Sequence, residues 1–358
     1  MQKGGEALNL ILSTQKGNVD DITNLTNNIN WGGDIRQCAR TLSFDLVSLT
    51  DSKQFKTVEC ELGDSVSMKQ DGDTLFNGII VSMQKSTESN TISVQCFDRG
   101  FYLKRNKASY KFTAQTPAVI AKRVCADFGI ETGKFAAPNI TISRNFLGVE
   151  LYKIIMTAYT LAAQKDSKSY YAYFCGTKLN VIEKKPSAET LVIESGVNLM
   201  SASSSKSIEN MVTQVAIYSQ EDTLIRTIKN AEALNQYGVL QEYIKQEKNE
   251  SAEAEAKKIL SDRGIEQKIT VDNLGDISCV TGKCVIVKES YTGLYGLFYI
   301  DTDTHTWKNG LYFNKLVLNF KNIMDETEVG SIIEQKNKSG KKKNSNLGVW
   351  EYINKPGG

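Results

Sequence analysis

Apolar and polar residues alternate along much of the first hundred positions. Thr41-Leu42-Ser43-Phe44-Asp45-Leu46 places every second side chain on one apolar face, the period of a half-buried strand. Leu8 to Leu12, Ile79-Ile80-Val81 and Ile92-Ser93-Val94-Gln95-Cys96 read as further strands. Between them stand turn signals at Gln15-Lys16-Gly17-Asn18, Gly63-Asp64 and Asp71-Gly72-Asp73. Short strands broken by turns at roughly ten-residue spacing predict a small β-barrel or sandwich over residues 1–105.

The period then changes. Thr116-Pro117, the run Ala118 to Phe128 and Gly129 mark a helix. Thr116 is placed to cap it, Pro117 suits the first helical position, and Gly129 suits the left-handed stop. Ile120, Val124 and Phe128 share its inner face. A second helix is expected from Val149 to Lys165, with Leu151, Ile154, Ile155, Ala158 and Leu161 facing inward. Tyr170 to Cys175, Gly176-Thr177 and Lys178 to Glu183 make a hairpin. Residues 106–187 are therefore a compact α/β module.

Strands return from 188. Val212 to Tyr218 and Thr223 to Ile228 form a hairpin, and a helical insertion follows over about 229–264, with helices at Ala231 to Tyr237 and Ser251 to Asp262. Strands resume at Lys268 to Val271, Cys284 to Val287, Leu297 to Asp301 and Tyr312 to Phe320. Residues 188–330 thus read as a second small barrel carrying that insertion, and 331–358 as a basic C-terminal tail. The fold class is mainly β with an α/β insert, built from two small β-barrel domains and one α/β module.

Composition adds limits. At about 150 residues per domain, 358 residues allow two or three domains. No apolar stretch is long enough to cross a bilayer as a helix, so no membrane insertion is expected, and no signal peptide is evident. Seven cysteines without a Cys-x-x-Cys, and a single histidine, leave no zinc pattern. Only eight of the 43 basic residues are arginine, which weighs against sequence-specific nucleic-acid binding. The last 28 residues carry six lysines and two glutamates, so the net charge of +2 is a −2 body and a +4 tail.

The chain carries no G-x-S-x-G, G-x-G-x-x-G or H-E-x-x-H, and Gly282-Lys283 reads as a hairpin turn. One cluster stands out: Asp301-Thr302-Asp303-Thr304-His305-Thr306-Trp307. On a strand, Asp301, Asp303, His305 and Trp307 share a face. Two carboxylates and an imidazole can hold a cation or exchange a proton. The plainer reading is hydrogen bonding at a strand end, with His305 packed against a carboxylate. In the tail, Lys341, Lys342 and Lys343 read as a solvated linker, while Trp350 and Tyr352 are candidate anchors for a partner's pocket.

The stretch from Tyr299 through Asp301, Asp303, His305, Trp307, Asn309 and Gly310, with Lys315 to Phe320 after it, resembles the closing strands of phage tail baseplate hub proteins. These are the late-control-gene-D-like hubs of the PBSX prophage type. Trp31-Gly32-Gly33 with Ala39 to Phe44, Cys96 to Leu103, and Leu274-Gly275-Asp276 with Thr281-Gly282-Lys283 fit the same pattern. The resemblance spans about residues 5–325. It implies a non-enzymatic structural role with no cofactor and no small-molecule substrate. It also implies a homotrimer whose paired barrels form a ring between the six-fold tail tube and a three-fold central spike. The partners would be the tube protein, the spike and other baseplate proteins, with the tape measure a further candidate. The setting would be the tail baseplate of a virion or of a bacteriocin particle, assembled in the bacterial cytoplasm. The 301–310 motif would then close a barrel. A tail-associated cell-wall hydrolase and a receptor-binding or adhesin module are the competing readings.

Overall fold

The computed structural model describes residues 8–48, 58–86, 89–187, 190–246 and 252–333. The described residues divide into two compact units, one within 8–202 and 270–333 and the other within 203–269. No helix among the described residues is long and apolar enough to cross a membrane.

The larger unit is organised by one curled sheet. Part of its strand order runs Val19–Asp21, Asn9–Ser13, Ser65–Gln70, Asp73–Lys85, Thr91–Asp98, Thr41–Val47, Thr26–Asp34, Leu294–Lys308 and Leu311–Asn319, and each neighbouring pair in this stretch is antiparallel. The alternation read from 41–46 is realised: Leu42, Phe44 and Leu46 point into a core with Leu10, Leu12, Trp31, Val66, Met68, Phe76, Ile80, Val94 and Cys96.

Strands from the two all-β stretches of the sequence thus belong to a single sheet. They meet where Thr26–Asp34 pairs with Leu294–Lys308, with Trp31 opposite His305 and Gly33 opposite Asp303. Leu294–Lys308 is long enough to serve two neighbours on one edge. Leu294 to Tyr299 pair with Cys284–Glu289, and from Thr302 onward the neighbour is Thr26–Asp34. The change of partner coincides with an irregularity in the pairing to Leu311–Asn319 between Ile300 and Thr302, where a β-bulge bends the strand.

The α/β module contains helices α1 (Gly100–Arg105), α2 (Pro117–Asp127) and α3 (Leu151–Asp166). Lys107–Gln115 pairs with Ile142–Glu150, and the hairpin Tyr170–Cys175/Lys178–Glu183 pairs with Thr132–Phe135. Two local expectations for α2 fail. Thr116 occupies the cap position in extended conformation, but its side chain makes no capping hydrogen bond, and Phe128 sits at the C-cap with its side chain exposed. The α3 helix is buried over more than its inner face: Tyr152, Thr157 and Thr160 are also enclosed. The cover comes from residues 320–332, which leave the sheet after Asn319 and end with Ser331–Ile332 paired to Asn145 and Arg144. The sequence reading assigned this segment to the second barrel and the start of the tail. Short, polar and aperiodic, it carries no pattern that would reveal where it packs.

In the smaller unit, Leu224–Lys229, Gln214–Tyr218 and Gln241–Lys245 form a three-stranded sheet with 214–218 in the centre. Helices α4 (Ala231–Tyr237) and α5 (Glu253–Asp262) accompany it, and Val215 and Ile217 pack with Ala252 and Ala256. The Asn230 side chain caps α4 by accepting from Ala233 N–H at 3.2 Å. The hairpin expected to be part of a barrel therefore joins the residues of the helical insertion in a compact unit of its own.

Candidate functional site

The candidate cluster lies at the sheet join. Alternation along Leu294–Lys308 buries Asp303 and His305 completely and leaves Thr302, Thr304 and Thr306 half-buried on the opposite face. Asp303 meets Arg40, which precedes Thr41–Val47, in a two-pronged ion pair. Arg40 Nη1 donates to Oδ1 at 3.0 Å and Nη2 donates to Oδ2. The fork matches the carboxylate plane, a geometry that lysine cannot reproduce. The guanidinium also lies over the Trp31 ring, 4.0 Å from its centre. Thr281 completes the shell, donating to Asp303 Oδ1 from its backbone N–H and its hydroxyl, both at 2.6 Å. Burial alone would raise the Asp303 carboxyl. The Arg40 charge and the His305 N–H outweigh it and hold the group well below the usual carboxylate range.

This arrangement requires glycine at 32 and 33. A Cβ on Gly32 would stand 2.7 Å from the Asp303 carbonyl oxygen, and one on Gly33 would collide with Arg40 Nη1. The pair of glycines in a strand marks a close approach.

His305 is fixed at both ring nitrogens. Asn314 Oδ1 accepts from Asp276 N–H at 2.6 Å, which turns the Asn314 amide N–H toward His305 Nδ1 at 2.7 Å. Nδ1 is therefore the acceptor, and the proton resides on Nε2. From there it points to the Cys279 carbonyl at 3.1 Å, with Asp303 Oδ2 at 3.2 Å. The Tyr312 hydroxyl lies 2.8 Å from Nδ1, and its ring stacks on Trp307 with centroids 4.5 Å apart. Asn309 and Gly310, with φ of 53° and 73°, form the tight turn joining Lys308 to its partner Leu311. Two consecutive positive φ values are what a type I′ hairpin turn needs, and Asn-Gly supplies them at least cost.

Of the residues singled out in the sequence, Asp303, His305 and Trp307 come together here, and Asn309 and Gly310 turn the chain beside them. Asp301 stands apart at the bulge: Oδ2 accepts from Asn319 at 3.0 Å, Oδ1 has no partner, and burial raises the carboxyl. Lys341, Lys342, Lys343, Trp350 and Tyr352 lie outside the described residues. Arg40, Thr281, Tyr312 and Asn314 are the members that strand alternation alone does not reveal.

Chemically the cluster is a fastening. Both oxygens of Asp303 and both nitrogens of His305 are engaged. Burial, with a further contribution from the Asp276 charge, pushes the neighbouring Cys279 thiol up to about 12, so it is no nucleophile. No group of three or more metal-ligating side chains occurs among the described residues. What the network does is tie five separate segments, 31–33, 40, 273–281, 303–307 and 312–314, into one piece.

A family described as YqbQ-like matches residues 29–319, from the Trp31 strand to the end of the Asn314 strand, and so takes in the whole network. The chain belongs to the YqbQ-like family. Among curated relatives, the phage-like element PBSX protein XkdQ of Bacillus subtilis is 27% identical over 300 residues, covering 81% of this chain and 91% of XkdQ. The 43 kDa tail protein of prophage MuSo2 from Shewanella oneidensis shares the fold with a TM-score of 0.65, over 87% of this chain and 97% of that one, at 14% identity. A tail protein from Neisseria meningitidis MC58 does so with a TM-score of 0.61, over 89% and 99%, at 16% identity. This YqbQ-like chain therefore has the fold of phage tail proteins, mostly β with few helices.

Proposed function

We propose that this chain is a structural hub of a tail baseplate in a phage or phage-tail-like particle. It would form a homotrimeric ring that adapts the six-fold tail tube to a three-fold central spike. The observation that carries the reading is the alignment with XkdQ over 91% of that protein, together with a fold shared with prophage tail proteins. The buried network supports it, because residue types that elsewhere perform catalysis are here spent on joining strands.

In this reading the strands of 1–105 and of 188–330 that join the curled sheet supply the tube-like walls of the ring, 106–187 decorate its outside, and the tail beyond Ile332 reaches a neighbouring baseplate protein. The hub would be assembled in the bacterial cytoplasm and reside in the tail baseplate.

Light scattering of the purified protein, alone and with tube and spike partners, tests the ring. A three-subunit mass is expected. A chain that stays monomeric at every concentration and with both partners would overturn the trimeric hub.

A further inference from the structure

Residues 321–332 make an asymmetric contact with the module. Buried polar groups of the module find partners on this segment: Tyr152 donates to Asp325 at 2.8 Å, and Lys184 donates to the Ile323 carbonyl at 2.7 Å. The Thr160 hydroxyl accepts from Thr327 N–H at 3.0 Å, and that of Thr157 from Val329 N–H at 3.3 Å. Arg144 pairs with Glu328 and donates to the Gly330 carbonyl at 3.1 Å. All five module residues are buried, yet not one residue of 321–332 is. Met324 and Val329, both half-buried, add apolar packing. An element with little buried apolar area, held by polar contacts near the surface, opens at lower free energy than the sheet it leaves.

We propose that residues 321–332 are a latch, released as a unit while the sheet and its Arg40–Asp303 fastening stay closed. Release would give water to Arg144, Tyr152, Thr157, Thr160 and Lys184, and would bare the edge of Ile142–Glu150 at Arg144 and Asn145. The device stands on contacts within the larger unit and is independent of the tail-hub reading.

Native-state hydrogen exchange on the full chain tests it. The Thr327 and Val329 amides are expected to exchange at least ~10-fold faster than those paired between 26–34 and 294–308. The double variant Thr157→Val/Thr160→Val removes both acceptors at nearly constant shape. It should speed exchange of the latch amides by up to ~30-fold, the effect of two hydrogen bonds, and leave the sheet amides unchanged. Glu328→Gln, altered on the latch itself, should act in the same direction and guards against a disturbed helix. Latch amides that exchange at the rate of the sheet, or variants that accelerate both alike, would overturn the latch.

Discussion

The Asp303 carboxylate accepts from Arg40 and Thr281 in a site closed to water, so its removal strands a buried guanidinium. Asp303→Asn should destabilise the fold by about 3–5 kcal/mol, the usual result of breaking a buried pair from one side. Replacing both partners with apolar residues, Arg40→Met with Asp303→Leu, should recover part of that loss, because no charge is then left unpaired. Chemical denaturation of the two variants checks this, and a loss under 1 kcal/mol for Asp303→Asn would contradict the proposed fastening.

Asp98, beside Arg40, behaves oppositely. Burial pushes its carboxyl up to about 7, against the backbone N–H donors of Arg40 and Gly100 and the Arg40 charge. The folded state then holds a proton that the unfolded state releases near pH 4. That contribution to stability is complete below about pH 4 and is lost as pH rises through about 7. Asp98→Asn, which cannot titrate, should flatten the fall in Tm between pH 4 and 7 while lowering stability throughout. An unchanged slope would rule out Asp98 as its source.

Elements whose period is local were legible in the sequence. The alternation of 41–46 and of 302–306, the Pro117–Asp127 helix and the Asn309-Gly310 turn are set by neighbouring residues, and each forms. What stayed hidden depends on distant partners. Asp303 finds Arg40 across 263 positions, and no period records that distance. The α3 helix showed one inner face because its second cover, 320–332, has no pattern of its own. The candidate site was visible as a strand face, and its fastening role emerged only once Gly33, Arg40 and Asn314 were in place.

A strained spot on an element gives another prediction. The pairing of Lys107–Gln115 with Ile142–Glu150 slips between Ile142 and Arg144, and Ala114 is forced to φ 49°, with its N–H bonded to the Ser143 hydroxyl at 3.0 Å. A left-handed alanine costs about 1 kcal/mol. Ala114→Gly relieves that strain and adds chain entropy to the unfolded state, so the net gain should be about 0.5 kcal/mol. A denaturation midpoint that falls would show that the bulge is not strained.

For the whole molecule, charge and aromatic content are unevenly divided. Residues 331–358 carry +4 against −2 for the rest, and they include Trp350-Glu351-Tyr352-Ile353. If this stretch docks a partner, as proposed, its charges would speed encounter with an acidic surface, and a desolvated Trp would supply most of the holding energy. Trp350→Ala should therefore weaken association with the adjoining spike or baseplate protein by about 30-fold, the loss of a hot spot worth roughly 2 kcal/mol. Changing Lys341, Lys342 and Lys343 to Gln should mainly slow association, an effect that shrinks in high salt. Neither change should move the thermal transition, since the Arg40 network and the module core lie elsewhere in the chain. Co-purification and association kinetics with the partner measure both. If Trp350→Ala co-purifies undiminished, the tail is not the docking element, and the proposed hub would have to hold its neighbours through the sheet and module alone.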